Sequence, residues 1–324
     1  MADMVSHLQE KKASNRVKKH WYQDKKRLFV YSIMLFPLIQ FCIFYIGVNF
    51  QSILLAFQKY NDETQKFEAL NGNVFHWFKK IYTEFTEYNT LPAALKGSLI
   101  LWFFTMICGT GLAVFFSFYV FKKKKSGRFF RLILFLPSIL PAVLLSKIFY
   151  YLTDTTLPLI FGGKPLLDYT EQKDSVVMAT VIIYSLWVSF GTQVLLYSNA
   201  MEQISPSVLE AAQIDGVGPM REFIQVVLPQ IMPTVSTFMV GTIAAAFMNQ
   251  ANLFNFYGSS VLEGGADTPL TLGYYLFAFA DPNSKWAEAG RPNFPYASAL
   301  GLICTAIVIP VTVLFRKFAK RFED

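Results

Sequence analysis

Charged residues are scarce in this chain of 324 residues. They make up 16% of it, against about 25% in a typical soluble domain. Cysteine and histidine are also rare, with three residues of each. Cys42, Cys108 and Cys304 each lie inside an apolar run, and the histidines are scattered. We therefore expect buried thiols, and neither a disulfide framework nor a metal site.

A phosphate-binding loop is missing as well. No Gly-x-x-x-x-Gly-Lys-Ser/Thr sequence occurs, and Gly163-Lys164-Pro165 lacks both the upstream glycine at the right spacing and the following hydroxyl. The chain itself is therefore not expected to bind or hydrolyse ATP, and it is not expected to be an enzyme or to hold a cofactor.

Apolar residues are abundant, at 53% of the chain. Six segments are long enough to cross a bilayer core of about 30 Å, which needs roughly 20 residues. An all-α polytopic membrane protein with six transmembrane helices is predicted, with spans at about 28–50, 91–121, 132–153, 175–200, 234–256 and 296–315.

The predicted spans contain no Asp or Glu, and their charged residues, Lys96 and Lys147, lie toward the outer ends. Lysine side chains at such positions can reach the headgroups. Transporters driven by protons or sodium normally need ionisable groups within the membrane. This absence argues against a secondary transporter, although a transporter or channel of that class stays an alternative.

Basic residues indicate the orientation. The leader 1–27 carries eight Lys or Arg, the connection 122–131 carries six, and the tail after the last span carries four. The positive-inside rule places these three segments, and both termini, in the cytoplasm. We predict a cytoplasmic leader at 1–27 and a six-span domain at 28–324. The 201–233 connection falls on the same side by parity, although its only basic residue is Arg221.

That connection has the pattern of two short helices separated by a turn. Ser205 suits an N-cap and Pro206 a first helical position, and the first helix is predicted to end near Ile214. Gly216 is predicted to adopt the left-handed conformation that ends a helix. A second helix is predicted from Pro219, with its apolar side formed by Met220, Phe223, Ile224 and Val227 and its polar side by Arg221, Glu222 and Gln225.

The same connection resembles the EAA signature of the membrane subunits of binding-protein-dependent ABC importers. The matching residues are Glu210, Ala211, Ala212, Asp215, Gly216, Phe223, Leu228, Pro229 and Pro233. Here residues 201–233 are called the EAA loop. Val217 departs from the family pattern, as does Lys96-Gly97-Ser98, where an Asn-Thr/Ser pair is common. Leu134-Phe135-Leu136-Pro137 and Tyr296-Ala297-Ser298-Ala299-Leu300 are similar to the carbohydrate-uptake branch of the family.

The resemblance implies the fold of a type I ABC importer permease and a set of partners. These are a second, usually non-identical permease, two copies of a cytoplasmic ATPase that bind ATP and Mg²⁺, and an extracytoplasmic solute-binding protein. The EAA loop is implied to couple to the ATPase. Glu210 would make a polar contact, Ala211 and Ala212 would permit close approach, and Gly216 would make the turn. The implied location is the cytoplasmic membrane of a prokaryote.

A solute path is inferred from polar and aromatic residues within the fourth and fifth spans. Sugars are held by aromatic faces and by hydrogen bonds from amides and hydroxyls. The candidates are Tyr184, Trp187, Ser189, Gln193, Asn249, Gln250 and Asn252. Hydrogen bonding between helices is the alternative role for each of them. The predicted function is uptake of a carbohydrate, with an oligosaccharide preferred and a glycerophosphodiester as the alternative solute.

Two outer connections have apolar surfaces. The 74–85 segment has the pattern of an amphipathic helix at the membrane surface. The apolar patch 270–279 is predicted either to be an interfacial helix or to meet an extracytoplasmic partner.

Overall fold

The computed structural model describes residues 25–70, 73–122, 124–258, 270–282, 284 and 291–321, so most of the predicted leader lies outside it. The chain divides into two units at Leu55. In the first unit, the described part is a single helix, α1 (Lys25–Leu55), with a π-helical stretch at Phe41–Gly47. It confirms an apolar span here and is somewhat longer than the predicted 28–50.

The second unit begins with a short antiparallel hairpin that the sequence did not lead us to expect. Strands β1 (Gln58–Asn61) and β2 (Lys66–Ala69) pair with Gln58 opposite Ala69. Helix α2 (His76–Glu87) follows, as predicted for 74–85. Trp77 and Ile81 form its buried side, and the Trp77 indole N–H donates to the Gln58 carbonyl at 2.8 Å. The connection between α1 and the next long helix is therefore packed onto the protein through α2.

The remaining helices supply the bundle. In chain order they are α3 (Thr90–Lys122), α4 (Lys124–Ile139), α5 (Ala142–Phe161), α6 (Asp174–Glu202), α7 (Pro206–Ile214), α8 (Pro219–Ala244), α9 (Leu253–Tyr257), α10 (Leu272–Ala280) and α11 (Phe294–Lys320). Among the described residues, α1, α3, α6, α8 and α11 are long and apolar enough to cross a membrane. The α4–α5 pair makes a sixth candidate, bent by 98°.

Two predicted spans differ from the observed helices. The third is broken at Pro141, because proline lacks an N–H and forces the preceding residue away from helical geometry. The fifth was placed at 234–256, but α8 begins at Pro219 and ends at Ala244. Pro229 and Pro233 lie within this helix. A π-helical turn at Glu222–Val227 ends two residues before Pro229.

Buried residues form two clusters. One lies toward the α2 end of the bundle and contains Trp77, Tyr184, Tyr275 and Tyr296. The other surrounds the EAA loop, at the end of the bundle where α3 and α6 finish and α8 begins; its members include Val114, Phe118, Tyr197, Met201, Phe223 and Ile231.

The apolar patch 270–279 is part of the first cluster, which corrects both predicted roles for it. Leu272, Tyr274, Tyr275, Ala278 and Phe279 on α10 are buried. The Leu272 N–H donates to the Ser98 hydroxyl at 2.7 Å. A Cβ on Gly97 would lie 1.9 Å from the Leu270 carbonyl oxygen, so the chain approaches closely here. Gly97 and Ser98 belong to the Lys96-Gly97-Ser98 departure from the family pattern. They thus hold α10 against α3.

Candidate functional site

Helix α7 of the EAA loop ends as its sequence predicts. Gly216 has φ +68°. The Val217 N–H donates to the Ala212 carbonyl at 3.0 Å, and the Gly216 N–H donates to the Gln213 carbonyl at 3.1 Å. These two hydrogen bonds define a Schellman motif, which satisfies the last helix carbonyls and requires a residue with positive φ. Gly216 therefore fixes the turn at the tip of the loop.

The other end of α7 differs in one detail. Ser205 stands at the N-cap position, and Pro206 is the first helical residue, as predicted. The Ser205 side chain makes no capping hydrogen bond, and its hydroxyl lies 2.8 Å from the Ser207 hydroxyl. Proline at the first position lacks one of the N–H groups that the start of a helix leaves unpaired.

The EAA residues of α7 are divided between two surfaces. Glu210, Ala211 and Asp215 are exposed, and Ile214 has 86% of its surface exposed. Ala212 is buried against the body of its own chain. The surface that α7 offers to a partner thus combines two carboxylates with a large apolar side chain, while Ala212 permits close packing within the subunit.

The beginning of α8 buries part of the predicted apolar side. Phe223 and Val227 are buried as predicted, whereas Met220 and Ile224 are exposed. Glu222, which was predicted on the polar side, is buried as well. Residues 222–227 form a π-helical turn, whose i→i+5 hydrogen bonds place Glu222 on the same side as Val227.

Phe223 packs into the end of α3. Its ring lies 5.0 Å from that of Phe118 and 6.1 Å from that of Phe115, between ring centroids. Leu228 is half-buried and Pro229 is exposed. The predicted EAA residues therefore include an exposed group on α7 and a packing group on α8.

A second site lies near the middle of the bundle, a cavity of about 170 Å³ between α3, α6 and the end of α8. It is called the polar cavity here. Its polar residues are Trp102, Thr105, Ser185, Ser189, Gln193, Thr242 and Asn249. Because α8 ends at Ala244, the chain continues beside the polar cavity as a turn and not as a helix. Non-helical backbone at membrane depth is tolerated where it is buried in protein or lines a cavity.

Three buried atoms at the polar cavity have no hydrogen-bond partner within the described part of the chain. They are the Trp102 indole nitrogen, the Ser185 hydroxyl and Gln193 Oε1. The first is a donor, the last is an acceptor, and the hydroxyl is both. Buried polar groups are almost always paired in native proteins. Three unpaired polar groups therefore border the polar cavity.

Three of the seven predicted solute-path residues, Ser189, Gln193 and Asn249, meet at the polar cavity. Gln250 and Asn252 lie in the turn after α8 and outside the cavity lining. The Asn252 side chain accepts a hydrogen bond from Asn255 at 3.2 Å, and its φ of 56° is one that asparagine tolerates. The sequence pattern gave no sign that the fifth span would end before these residues.

Tyr184 and Trp187 belong to an aromatic group and do not line the polar cavity. Tyr184 is buried, with its ring centroid 4.9 Å from those of Phe149 and Phe256. The Trp187 ring stacks on Phe149 at 6.0 Å. Such offset or edge contacts are the usual geometry of packed aromatic rings. Both residues therefore support the α5–α6 packing.

Four of the polar residues that line the polar cavity were not predicted from the sequence. They are Trp102, Thr105, Ser185 and Thr242. A usable signal existed for one of them. Ser185, Ser189 and Gln193 are spaced four apart, which places them on one side of a helix. Trp102 and Thr105 belong to another helix, and their approach to this stripe depends on packing that a single sequence does not display. Among the described residues, no three His, Cys, Asp or Glu side chains are grouped as a metal site.

Comparison with known proteins gives a family match over most of the chain. The sequence profile described as "Binding-protein-dependent transport system inner membrane component" matches residues 81–324. MsmF of Streptococcus mutans, a permease protein of a multiple sugar-binding transport system, is 23% identical over 90% of this chain and 96% of its own length. UgpA of Yersinia pestis, a permease protein of an sn-glycerol-3-phosphate transport system, is 27% identical over 68% of this chain and 72% of its own.

Two solved structures have a similar fold. One is a bacterial alginate ABC transporter in complex with an alginate pentasaccharide-bound periplasmic protein; a chain in it aligns with a TM-score of 0.70 at 16% identity, over 94% of this chain and 98% of that chain. The other is a bacterial ABC transporter involved in alginate import, with a TM-score of 0.69 at 16% identity, over 94% and 100% of the two chains. These likenesses confirm the predicted all-α fold.

Proposed function

The chain belongs to the family of binding-protein-dependent transport system inner membrane components, and from that premise we propose that it imports a carbohydrate, preferably an oligosaccharide, by ATP-driven alternating access. It is a multi-pass membrane protein and a transport subunit. The observation that carries the proposal is the presence in one chain of an exposed EAA helix and of a polar cavity rich in unpaired hydrogen-bonding atoms.

The chemistry of the polar cavity supports a carbohydrate. Its unpaired donor, acceptor and hydroxyl match the alternating hydroxyl groups of a sugar ring. Trp102 adds an aromatic ring, which can pack against the C–H face of a sugar while its N–H donates. The similarity to MsmF, whose printed name refers to multiple sugars, agrees with this solute class.

The lining of the polar cavity favours a neutral solute over the glycerophosphodiester alternative. No Lys, Arg or His belongs to the described lining. Moving a phosphate or carboxylate out of water is costly without a compensating cation or charge-assisted hydrogen bonds. UgpA and the alginate transporters are named for anionic solutes. We therefore propose that this chain handles an uncharged sugar.

The size of the polar cavity supports a second permease. At about 170 Å³ it is smaller than the roughly 300 Å³ at the lower end of ligand pockets. The partner would complete the site, and an extracytoplasmic binding protein would deliver the solute. The exposed face of α7, with Glu210, Asp215 and Ile214, would contact one of two ATPase subunits, which bind ATP and Mg²⁺. In this proposal the present chain contributes no cofactor.

The orientation follows from the basic residues and is part of the proposal. The EAA loop lies at the same end of the bundle as the connection 122–131, and the positive-inside rule assigns that end to the cytoplasm. Both termini are then cytoplasmic, in the cytoplasmic membrane of a prokaryote. ATP-driven closure of the ATPases would move the EAA loops and open the polar cavity outward, and release of the solute inward would follow hydrolysis.

Affinity purification from native membranes tests the proposal. The tagged chain is solubilised in mild detergent, and all copurifying proteins are identified. A second six-span subunit with an ATPase is expected, and the associated binding protein is then titrated with neutral sugars, glycerophosphodiesters and acidic sugars. Binding only of an anionic solute would reject the neutral-sugar assignment. A chain recovered without any ATPase would favour a secondary transporter or channel.

A further inference from the structure

The EAA loop carries four carboxylates, Glu202, Glu210, Asp215 and Glu222, in a connection that the positive-inside rule expects to be basic. The structure separates them into two kinds. Glu210 and Asp215 are exposed and have no ion pair within the described chain. Glu202 and Glu222, which stand at the two ends of the segment that holds α7, are both ion-paired to the connection 122–131. That connection is called the basic connection here.

The pair at the α8 end is the more buried one. Lys122 is the last residue of α3, and its Nζ lies 2.6 Å from Glu222 Oε1 and donates to Glu222 Oε2 at 2.6 Å. The Glu222 side chain is only 4% exposed. A carboxylate is rarely buried to this extent unless it is paired. Phe223, the next residue, packs on Phe118 of the same α3 end. The ion pair and the aromatic contact therefore both hold the start of α8 against the end of α3.

The pair at the α6 end involves α4. Arg131 donates through Nη2 to Glu202 Oε1, at the last residue of α6. The Arg131 side chain is 19% exposed, so it is mostly enclosed. The basic connection thus contacts both ends of the segment that carries α7. Lys122 belongs to α3 and Arg131 to α4, so each end of this segment is tied to a different helix of the bundle.

We propose that the basic connection is a strut for the EAA loop, and that Lys122 and Arg131 are positioning residues for the coupling of ATP hydrolysis to transport. The proposal rests on the coupling function proposed above for α7. Without these two ion pairs, the ends of the EAA loop could bend, and a displacement of α7 would not be transmitted to the bundle. With the ion pairs in place, the displacement is transmitted to α3 and α4.

The strut and the solute site are joined by one helix. Thr105 at the polar cavity and Lys122 at the strut both belong to α3, which has a π-helical turn at Thr105–Gly109. A helix rises 1.5 Å per residue, so these residues are separated by about 25 Å along one continuous helix. Movement of the Lys122 end is therefore expected to move the wall of the polar cavity.

The test measures solute transported per ATP hydrolysed, in the complete transporter reconstituted into vesicles with its binding protein. The variants are Lys122→Gln, Glu222→Gln and the double variant, with Lys317→Gln at the end of α11 as a control exposed basic residue. We expect each single variant to lower the ratio about tenfold, within the range of typical coupling free energies. The double variant should lose no more than either single one, because both changes remove the same interaction.

Two results would contradict the proposal that the basic connection is a strut. One is a normal ratio in assembled Lys122→Gln transporters, including the case in which the variant only lowers the amount of complex. The other is multiplication of the two losses in the double variant, which would show that Lys122 and Glu222 act separately. If Lys122→Gln fails to assemble because it leaves the buried Glu222 carboxylate without its partner, Glu222→Gln decides alone, since the Lys122 side chain is 34% exposed and stays solvated. Absence of coupling in the wild-type transporter would reject the proposed function before any variant is compared.

Discussion

The EAA loop and the polar cavity differ in how they are built. The EAA loop is made of consecutive residues, and its turn depends on Gly216 and two hydrogen bonds within six residues. The polar cavity joins α3, α6 and the end of α8, which are far apart in the chain. A local site can be identified from its pattern, whereas an assembled site depends on where helices end and cross.

The two sites also differ in what a glycine does. Gly191 lies on α6 between Ser189 and Gln193, and a Cβ there would lie 1.7 Å from the Leu134 carbonyl oxygen of α4. At Gly216 a Cβ would meet nothing within 4 Å, but φ is +68°. Gly191 is therefore needed for the close approach of α4 to α6, the helix that carries Ser189 and Gln193, whereas Gly216 is needed for backbone conformation.

Gly191→Ala is expected to have the largest effect. Since the obstructing atom belongs to the backbone of α4, the two helices must separate, and overpacking of this kind is destabilising. We expect little folded protein, measured by monodisperse material after detergent extraction. Gly301→Ala on α11 is the matched control, because its Cβ would meet nothing within 4 Å. Equal recovery of both variants would contradict the close α4–α6 contact.

Glu210→Arg is expected to affect coupling without affecting the fold. Glu210 is exposed, so the subunit itself should insert and assemble normally. Uptake should fall by up to about 100-fold if the carboxylate contacts the ATPase, as for a strong coupling interaction. Uptake is measured in vesicles beside ATPase activity. Normal uptake in this variant would count against the assignment of α7 as the coupling helix.

Gln193→Leu and Asn249→Leu are expected to change solute handling. Loss of one hydrogen bond to a buried ligand costs about 1–3 kcal/mol, which corresponds to a rise of roughly 5- to 150-fold in the half-saturating solute concentration. Tyr184→Phe is the control on the same helix, because Tyr184 packs in the aromatic group outside the cavity. If Asn249→Leu instead prevents assembly, Asn249 acts in packing, through its hydrogen bond with the Ala251 N–H at 2.8 Å.

Gly216→Ala is expected to have the smallest effect. An alanine in the left-handed region costs about 1–2 kcal/mol, and the open surroundings of Gly216 add no steric term. The transporter should remain assembled and show a modest decrease in coupling, measured as solute transported per ATP. Gly218→Ala is the control, since Gly218 lies in the same loop with an ordinary φ of −68°. Identical coupling in the two variants would show that the turn at Gly216 is not required.

Much of the fold could be predicted from the sequence, because long apolar runs determine membrane helices. The hairpin Gln58–Ala69 has too few residues to show an alternating pattern, and it was missed. The end of α8 at Ala244 was missed because the apolar run continues beyond it. The burial of Glu222 and the exposure of Met220 and Ile224 were missed, since the change of helical period at Glu222–Val227 leaves no mark in a pattern analysed at 3.6 residues per turn.

The two functional sites could be predicted only in part, because a sequence pattern shows neighbours in the chain and does not show contacts between distant segments. The turn at Gly216 was confirmed, since its determinants are neighbours in the chain. Asn249 and Gln193 were brought together by the structure, while Trp102 on α3 had no local feature to connect it with them. The pairing of Glu222 with Lys122 spans 100 residues and was likewise outside the reach of the pattern.

Cross-linking from the exposed tip of α7 tests the central claim most directly. A photoreactive amino acid replaces Ile214, whose side chain is 86% exposed, and the complex is irradiated in native membranes with and without ATP. The same residue placed at Ile307 on α11, which is 49% exposed, is the control. We expect capture of an ATPase subunit from position 214 and not from 307, with a yield that changes with ATP. Intact complexes that give no ATPase adduct from 214 would contradict it.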